Sequence, residues 1–379
     1  MKNSSVILDI GSSTIVALIG KHGANDTFQV LGKGEISYAG FQNADFLEPE
    51  NLKFVIATAI SNAEISAGEK ITEIVIGVPG EFCACVPKNI EITFPKIKRV
   101  SNIDVQNIFR EGDSFENEAA YRVINKSAIC YVVDETKRVI DPVGMKAKSL
   151  SGQVSYVLAQ KYFLDLISSI FAELKIRISG FVCAPLAECL YLFEPEVRDR
   201  YAILVDVGYI TTNVAIARGN ALLFLNSFSL GGGFITADLA ECLKIQFNEA
   251  ERLKHKVLLG WQTTPSDVYN LEGDEFMQTY SAKATNEIVT DRIEMICEYI
   301  LKCLDNCIYD LPEFLPIYVT GGGFNYTKGI KNVLSRKLKR QVILTQPSLP
   351  NMNRPDYSSE VGLLNLTLNQ EDIFDSMIN

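Results

Sequence analysis

Short apolar runs separated by glycine and polar residues open the chain and predict strands before any helix. Val6-Ile7-Leu8 leads into Asp9, a return run covers Ile15 to Ile19, and a third spans Phe28 to Ile36, the pattern of a meander. Helical spacing takes over from about Glu50 to Ala67, after which Glu73-Ile74-Val75-Ile76-Gly77-Val78-Pro79-Gly80 reads as a short buried strand ending in a glycine turn. From about Phe82 to Ala159 the texture changes. Strands around Ile90 to Phe94, Ile129 to Val133 and Gln153 to Ala159, with a polar helix near Ser101 to Glu111, predict an inserted small α+β subdomain. A helix over about Lys161 to Leu174, a strand at Ile178 to Cys183 and an apolar helix around Pro185 to Phe193 follow.

The opening pattern then recurs. Ile203-Leu204-Val205-Asp206-Val207-Gly208 repeats the apolar strand ending in aspartate and glycine, and with a one-residue gap in the hairpin Thr14 aligns with Thr212, Val16 with Val214 and Leu18 with Ile216. A strand over Ala221 to Ser229, a turn at Gly231-Gly232-Gly233 and a long helix from near Thr236 extend the copy. Two related α/β domains facing each other are the simplest architecture for such a duplication. Asn248 to Val257 reads as a charged helix. The stretch from about Gly260 to Glu275 is the most loop-like, with turn signals at Thr263 to Asp267 and Glu272-Gly273-Asp274. A long helix over roughly Asn286 to Leu311, a strand from Leu315 that empties into Gly321-Gly322-Gly323, and a helix over Lys328 to Lys339 complete the reading.

Length and charge narrow the function. A chain of 379 residues favours two or three domains, and 47% hydrophobic with 22% charged residues is the make-up of a folded globular protein. A net charge of −10 excludes a protein that holds nucleic acid through its overall field, while a nucleotide carried with Mg²⁺ stays compatible. Nine cysteines without CxxC pairs and only two histidines read as reduced core thiols and leave no zinc framework. Cys303 and Cys307, one turn apart beside Ile293, Ile296, Ile300 and Leu304, fall into the core face of the long helix. The first strand begins without a charged leader, and no apolar run reaches bilayer-spanning length, so a cytoplasmic location is expected.

The candidate chemistry sits where the duplicated strands end. A tight hairpin with little side-chain bulk lets backbone N–H groups close on phosphate oxygens, while a strand aspartate faces Mg²⁺ or its water shell. Strand-to-glycine elements at Gly11, Gly208 and Gly321 therefore predict a phosphate and adenosine cradle, built without a GxxxxGK[ST] sequence.

The ordered set Asp9-Ile10-Gly11, Asp206-Val207-Gly208, Glu249-Ala250-Glu251-Arg252-Leu253-Lys254 and Val319-Thr320-Gly321-Gly322-Gly323 resembles the actin and heat-shock chaperone ATPase superfamily. Gly77 to Gly80, Asp141-Pro142-Val143-Gly144-Met145, Gly231-Gly232-Gly233 with Thr236 and Asp238, and Tyr357-Ser358-Ser359-Glu360-Val361-Gly362-Leu363 narrow the resemblance, over about residues 6 to 366, to the FtsA family of bacterial cell-division actin homologues. The resemblance implies an α/β, actin-like fold: residues 1–81 and 161–200 in domain I, 82–160 as the inserted subdomain, 201–345 as domain II with a helical subdomain at about 236–312, and 346–379 returning to domain I with a short acidic tail. It implies ATP between the halves, with Asp9 and Asp206 near Mg²⁺, directly or through water. Gly11, Ser12, Ser13, Thr14, Gly208, Tyr209, Ile210, Thr211 and Thr212 would surround the phosphates, with Gly231 and Gly232 also at the nucleotide. Glu251 and Lys254 would approach ribose and adenine from one helical face, and Gly321, Gly322, Gly323 and Phe324 would pass the adenosine. It further implies the tubulin-like division protein FtsZ as partner, through its C-terminal peptide, and self-association into filaments through the insert.

The departures carry equal information. Where the family places further glycines and an acidic residue after the second aspartate, this chain has Tyr209, Ile210 and Asn213. The segment that often supplies a water-positioning residue holds a single carboxylate, Glu188, the candidate for hydrolysis or else a helix-surface residue. Gln370 to Asn379 pairs Ile373, Phe374, Met377 and Ile378 with an acidic polar face, which an anionic leaflet repels, so membrane association through a partner is expected. These features favour a nucleotide-gated scaffold with slow or no turnover. The competing expectations are a PilM-like adaptor of an envelope machine and a small-molecule kinase of the same superfamily.

Overall fold

The computed structural model describes residues 4–23, 27–116, 118–272, 277–324 and 327–369. Two five-stranded sheets form its halves, and they share one connectivity. In the first, the strands run in the order Arg177–Cys183, Glu73–Val78, Ser5–Ile10, Thr14–His22 and Phe28–Ser37. In the second the order is Val342–Leu344, Ile317–Thr320, Ala202–Val207, Thr212–Arg218 and Ala221–Phe228. Each aspartate strand lies centrally, antiparallel to its hairpin partner and parallel to the next strand in. Central strands buried on both faces need continuous apolar runs, and Ile7, Leu8, Ile10 and Ile203, Leu204, Val205 supply them.

The register corrects the alignment of the two hairpins. Asp9 pairs with Val16 and Asp206 with Asn213, and Gly11 donates to Thr14 O (2.9 Å) as Gly208 donates to Thr211 O (2.8 Å). The copies therefore superpose without a gap, and Thr14 corresponds to Thr211. The sequence alignment had matched apolar to apolar, which slips the copies by one and exchanges the faces of the strand. In the true register Ser12 corresponds to Tyr209, Ser13 to Ile210 and Val16 to Asn213.

Between the halves of the first sheet's sequence sits an antiparallel sheet of Cys83–Arg99, Lys146–Gln160, Tyr121–Val133 and Lys137–Val139. Its strands are longer than their apolar segments suggest, because one face is solvated and the exposed Asn89, Glu91 and Thr93 alternate with Ile90, Ile92 and Phe94, which pack inward. The helix Asn102–Gly112 covers the other face. Ser101 starts it with a reciprocal capping box to Asp104, and Ile108 packs with Phe94, Tyr131, Leu150 and Tyr156.

The second half carries the helices Gly232–Leu243, Phe247–Lys254 and Ala282–Asp305. The last of these ends before Cys307, so the long helix is shorter at its C-terminus than its apolar spacing predicts. The region read as a loop holds a hairpin, Val268–Glu272 with Met277–Ser281, whose Tyr269 and Leu271 are buried in the main core. Tyr269 ties it down: its hydroxyl accepts from Leu258 N (2.9 Å) and donates to Asn286 Oδ1 (2.8 Å). Gly273 and Asp274, read as turn residues, lie outside the described residues, as does the tail 370–379. The helix Ser358–Leu368 returns to the first half, burying Val361, Leu363 and Leu364 against Ile7, Val182 and Ala187.

Candidate functional site

Both aspartate hairpins open on one cleft of about 250 Å³ between the halves. Asp9, Gly11, Ser12, Ser13 and Thr14 line it from one side and Asp206, Gly208, Tyr209 and Thr211 from the other, with Gly321 and Gly322 at one end. The hairpins touch where Ile210 N donates to Ser12 Oγ (3.0 Å), and within the first half Tyr38 donates to Gly11 O (2.7 Å). Thr212 is placed differently from its expected role. It is fully buried and donates to Leu230 O (2.7 Å), holding the strand that precedes the glycine turn.

Six carboxyl groups line the cleft: Glu35 and Asp356, which pair with Lys33 and Arg354, and Asp9, Asp206, Glu188 and Glu360. Burial pushes Asp9 up to about 6, helped by the charge of Asp206 and opposed by the Ser359 hydroxyl, which donates to Oδ1 (2.8 Å). Burial likewise raises Asp206 to about 6 against the amide of Asn213, which donates to Oδ2 (3.0 Å). Glu360 rises to about 8 through burial and Asp9, with Lys33 pulling the other way from 3.4 Å. Glu188 is only 2% exposed, which corrects the helix-surface alternative. Burial and the charges of Asp206 and Asp9 push it well above the carboxylate range, and its Oε2 has no hydrogen-bond partner among the described residues.

A cluster of buried carboxyls with an orphaned oxygen is chemistry that a hard divalent cation relieves. Among the described residues no three acidic, histidine or cysteine groups stand close enough to ligate a metal together. The residues fit Mg²⁺ held through its water shell rather than in a protein cage.

The residues expected at ribose and base are gathered beside the cleft and close on one another. Gly232 N donates to Gly208 O (2.9 Å) and Gly233 N to Tyr209 O (2.7 Å), so the first amides of the helix Gly232–Leu243 face the second hairpin. A Cβ on Gly232 would lie 2.4 Å from Gly323 Cα, and Phe324 is buried beyond it. Gly231 and Gly323 both press on Gly208 O. Lys254 bonds Glu251 Oε1 (2.8 Å), Thr236 Oγ1 (2.9 Å) and Gly232 O (3.3 Å). Glu251 also accepts from the Thr236 hydroxyl. Burial works against the Glu251 charge, but Lys254 outweighs it and holds the carboxyl below its usual range, whereas burial wins at Lys254 and lowers its pKa.

Two contributors, Ser359 and Glu360, were not assigned to the site from the sequence, and the bonds of a third, Asn213, were not foreseen. Ser359 and Glu360 stand on the returning helix, far from Asp9 in sequence, and Asn213 bridges Asp206 to Ser227, whose hydroxyl donates to its Oδ1 (2.7 Å). The available signal for the first two was a polar start, Ser358-Ser359-Glu360, on an otherwise apolar helix.

Two sheet-based halves around a cleft, with a separate antiparallel sheet inserted into the first, define an actin-like protein. Solved structures agree on that fold. The PilM–PilN type IV pilus biogenesis complex aligns with a TM-score of 0.63 at 14% identity, covering 96% of this chain and 98% of that one. MreB5 of Spiroplasma citri bound to ADP aligns at 0.58 and 10% identity, covering 100% and 99%. Family models separate these relatives. The model described as cell division protein FtsA matches residues 203–362, and the SHS2 domain inserted in FtsA matches 80–158, together more than half of the chain. Among full-length relatives, cell division protein FtsA of Staphylococcus epidermidis is 23% identical over 377 residues, 98% of this chain and 80% of that protein. The Bacillus subtilis protein is 22% identical over 365 residues, 95% and 82%. The chain belongs to the FtsA family and is an actin-like protein of bacterial cell division. Among the described residues no helix is long and apolar enough to cross a membrane.

Proposed function

We propose that this protein is a nucleotide-gated adaptor that binds ATP with Mg²⁺ between its halves and links FtsZ filaments to the division site at the inner face of the membrane. The observation that carries this reading is the meeting of both hairpins and six carboxyls at one cleft, in a chain that carries the SHS2 insertion. Asp9 and Asp206 would hold the cation through water, and Gly11 to Thr14 with the backbone of Gly208 to Thr211 would receive the phosphates, which would couple the angle between the halves to occupancy. Glu188 is the carboxyl we assign to orienting a water; burial and the charges of Asp206 and Asp9 favour its protonated form, which makes it a poor base, in keeping with slow or absent hydrolysis. The insert supplies the surface for self-association, and a partner supplies membrane contact. Domain I comprises residues 1–81, 161–200 and the return from 346, and domain II residues 201–345.

Sedimentation tests the reading. Purified protein with MgATP should pellet with FtsZ filaments and lose that association when the FtsZ C-terminal peptide is removed. Retention of a pilus-protein peptide, with FtsZ left in the supernatant, would replace the division partner by the pilus type suggested by the structural likeness to PilM.

A further inference from the structure

At one of the positions where the second hairpin differs from the first, a side chain that lines the cleft also packs on the neighbouring helix. In the true register Tyr209 stands where the first hairpin has Ser12, and its ring lies flat against the start of the next helix. A Cβ on Gly233 would meet the Tyr209 ring at 2.8 to 3.0 Å. The Lys254 ammonium lies 5.7 Å from the ring centroid, within cation–π range. Lys254 is 5% exposed, and the N–H donors of its ammonium are taken by Glu251, Thr236 and Gly232 O. The glycine turns at Gly232 and Gly323 meet backbone to backbone, with no room for a side chain between them. The phosphate side of the cleft is thus open, whereas the groups that would hold ribose and base are occupied by the chain itself.

We propose that Tyr209 is an internal plug of the adenosine half of the cleft, so that a nucleotide's ribose and base enter only when the ring leaves Gly233 and Lys254. This rests on the nucleotide reading above and makes one residue the regulator of occupancy. Phosphates and cation meet the hairpins first; the ring then swings out, Lys254 exchanges a bond inside the chain for one to the ligand, and the Gly232–Gly323 contact loosens. Affinity for a whole nucleotide is reduced by the fraction of molecules in the unplugged state. Inorganic pyrophosphate, which needs only the hairpins, escapes that reduction.

The experiment is calorimetric titration of the full chain with MgADP and with magnesium pyrophosphate, for the unaltered protein, Y209F, Y209G and Y209S. Y209S restores the residue of the first hairpin and covers the case in which glycine loosens the turn; circular dichroism verifies that each variant is folded. The expected result is MgADP binding tightened about tenfold or more in Y209G and Y209S relative to magnesium pyrophosphate measured on the same variant, and the unaltered ratio of the two affinities in Y209F. Equal MgADP affinity in all four proteins overturns the plug and leaves nucleotide binding standing. Failure of every folded variant to bind MgADP overturns both the plug and the nucleotide reading. Equal tightening for pyrophosphate also overturns the plug, because the ring would then be obstructing the phosphates.

Discussion

Replacing Asp9 by asparagine should stabilise the protein without cation and disable its response to one. The rise of Asp9 from the usual 3.8 to about 6 makes its ionisation in the fold cost about 3 kcal/mol more than in the unfolded chain, at ~1.4 kcal/mol per tenfold in proton affinity. The folded state holds the proton more tightly, so stability falls as pH climbs from about 4 to about 6 and stays reduced above that. Asparagine keeps the shape of the protonated acid and still accepts from Ser359. D9N should therefore match the original protein near pH 4, gain through the window, and exceed it by up to about 3 kcal/mol at pH 7.5, roughly 5 °C in melting midpoint for a chain of this size. The assay is thermal unfolding in EDTA across that pH range, repeated with MgADP at pH 7.5. With MgADP the order should narrow or reverse, because D9N lacks the charge that attracts the cation. A D9N protein no more stable than the original at pH 7.5 in EDTA, or a gain equal at pH 4.5 and 7.5, refutes the argument that a buried, uncompensated carboxylate strains the cleft.

Two further substitutions probe the same cleft. N213D replaces the amide that donates to Asp206 with a like charge, and should cost about 1–3 kcal/mol at neutral pH without metal, with much of the loss recovered in millimolar Mg²⁺; unfolding midpoints with and without Mg²⁺ read this directly. S12A removes the acceptor of the Ile210 amide, a bond worth about 1 kcal/mol, and should raise hydrogen exchange at Ile210 several-fold while leaving strand-centre amides in both sheets unchanged.

Much of the fold was legible because the period of apolar residues is a local property. The duplicated strands, the inserted subdomain, and the helices near 50–67 and 161–174 follow from runs of Ile, Val and Leu that can be buried in few other ways. The hairpin at Val268–Glu272 was hidden because only Tyr269 and Leu271 carry its inward face, too short a pattern to outweigh the surrounding turn residues. The one-residue gap between the copies was a false inference of the same kind: similarity of side chains cannot choose between registers, whereas the bonds from Gly11 to Thr14 and from Gly208 to Thr211 can.

By itself the sequence determined the pair of aspartate hairpins, the order of the elements and the chemistry available at their ends, since each depends on residues adjacent in the chain. Only the tertiary structure decided which of those groups share one space. It brought Ser359 and Glu360 to Asp9 across some 350 residues, buried Glu188 instead of leaving it on a helix surface, and set Tyr209 and Lys254 against each other beside the cleft. Burial and charge coupling act through space, so the protonation of the carboxyls and the closure around Tyr209 had no expression in the order of residues.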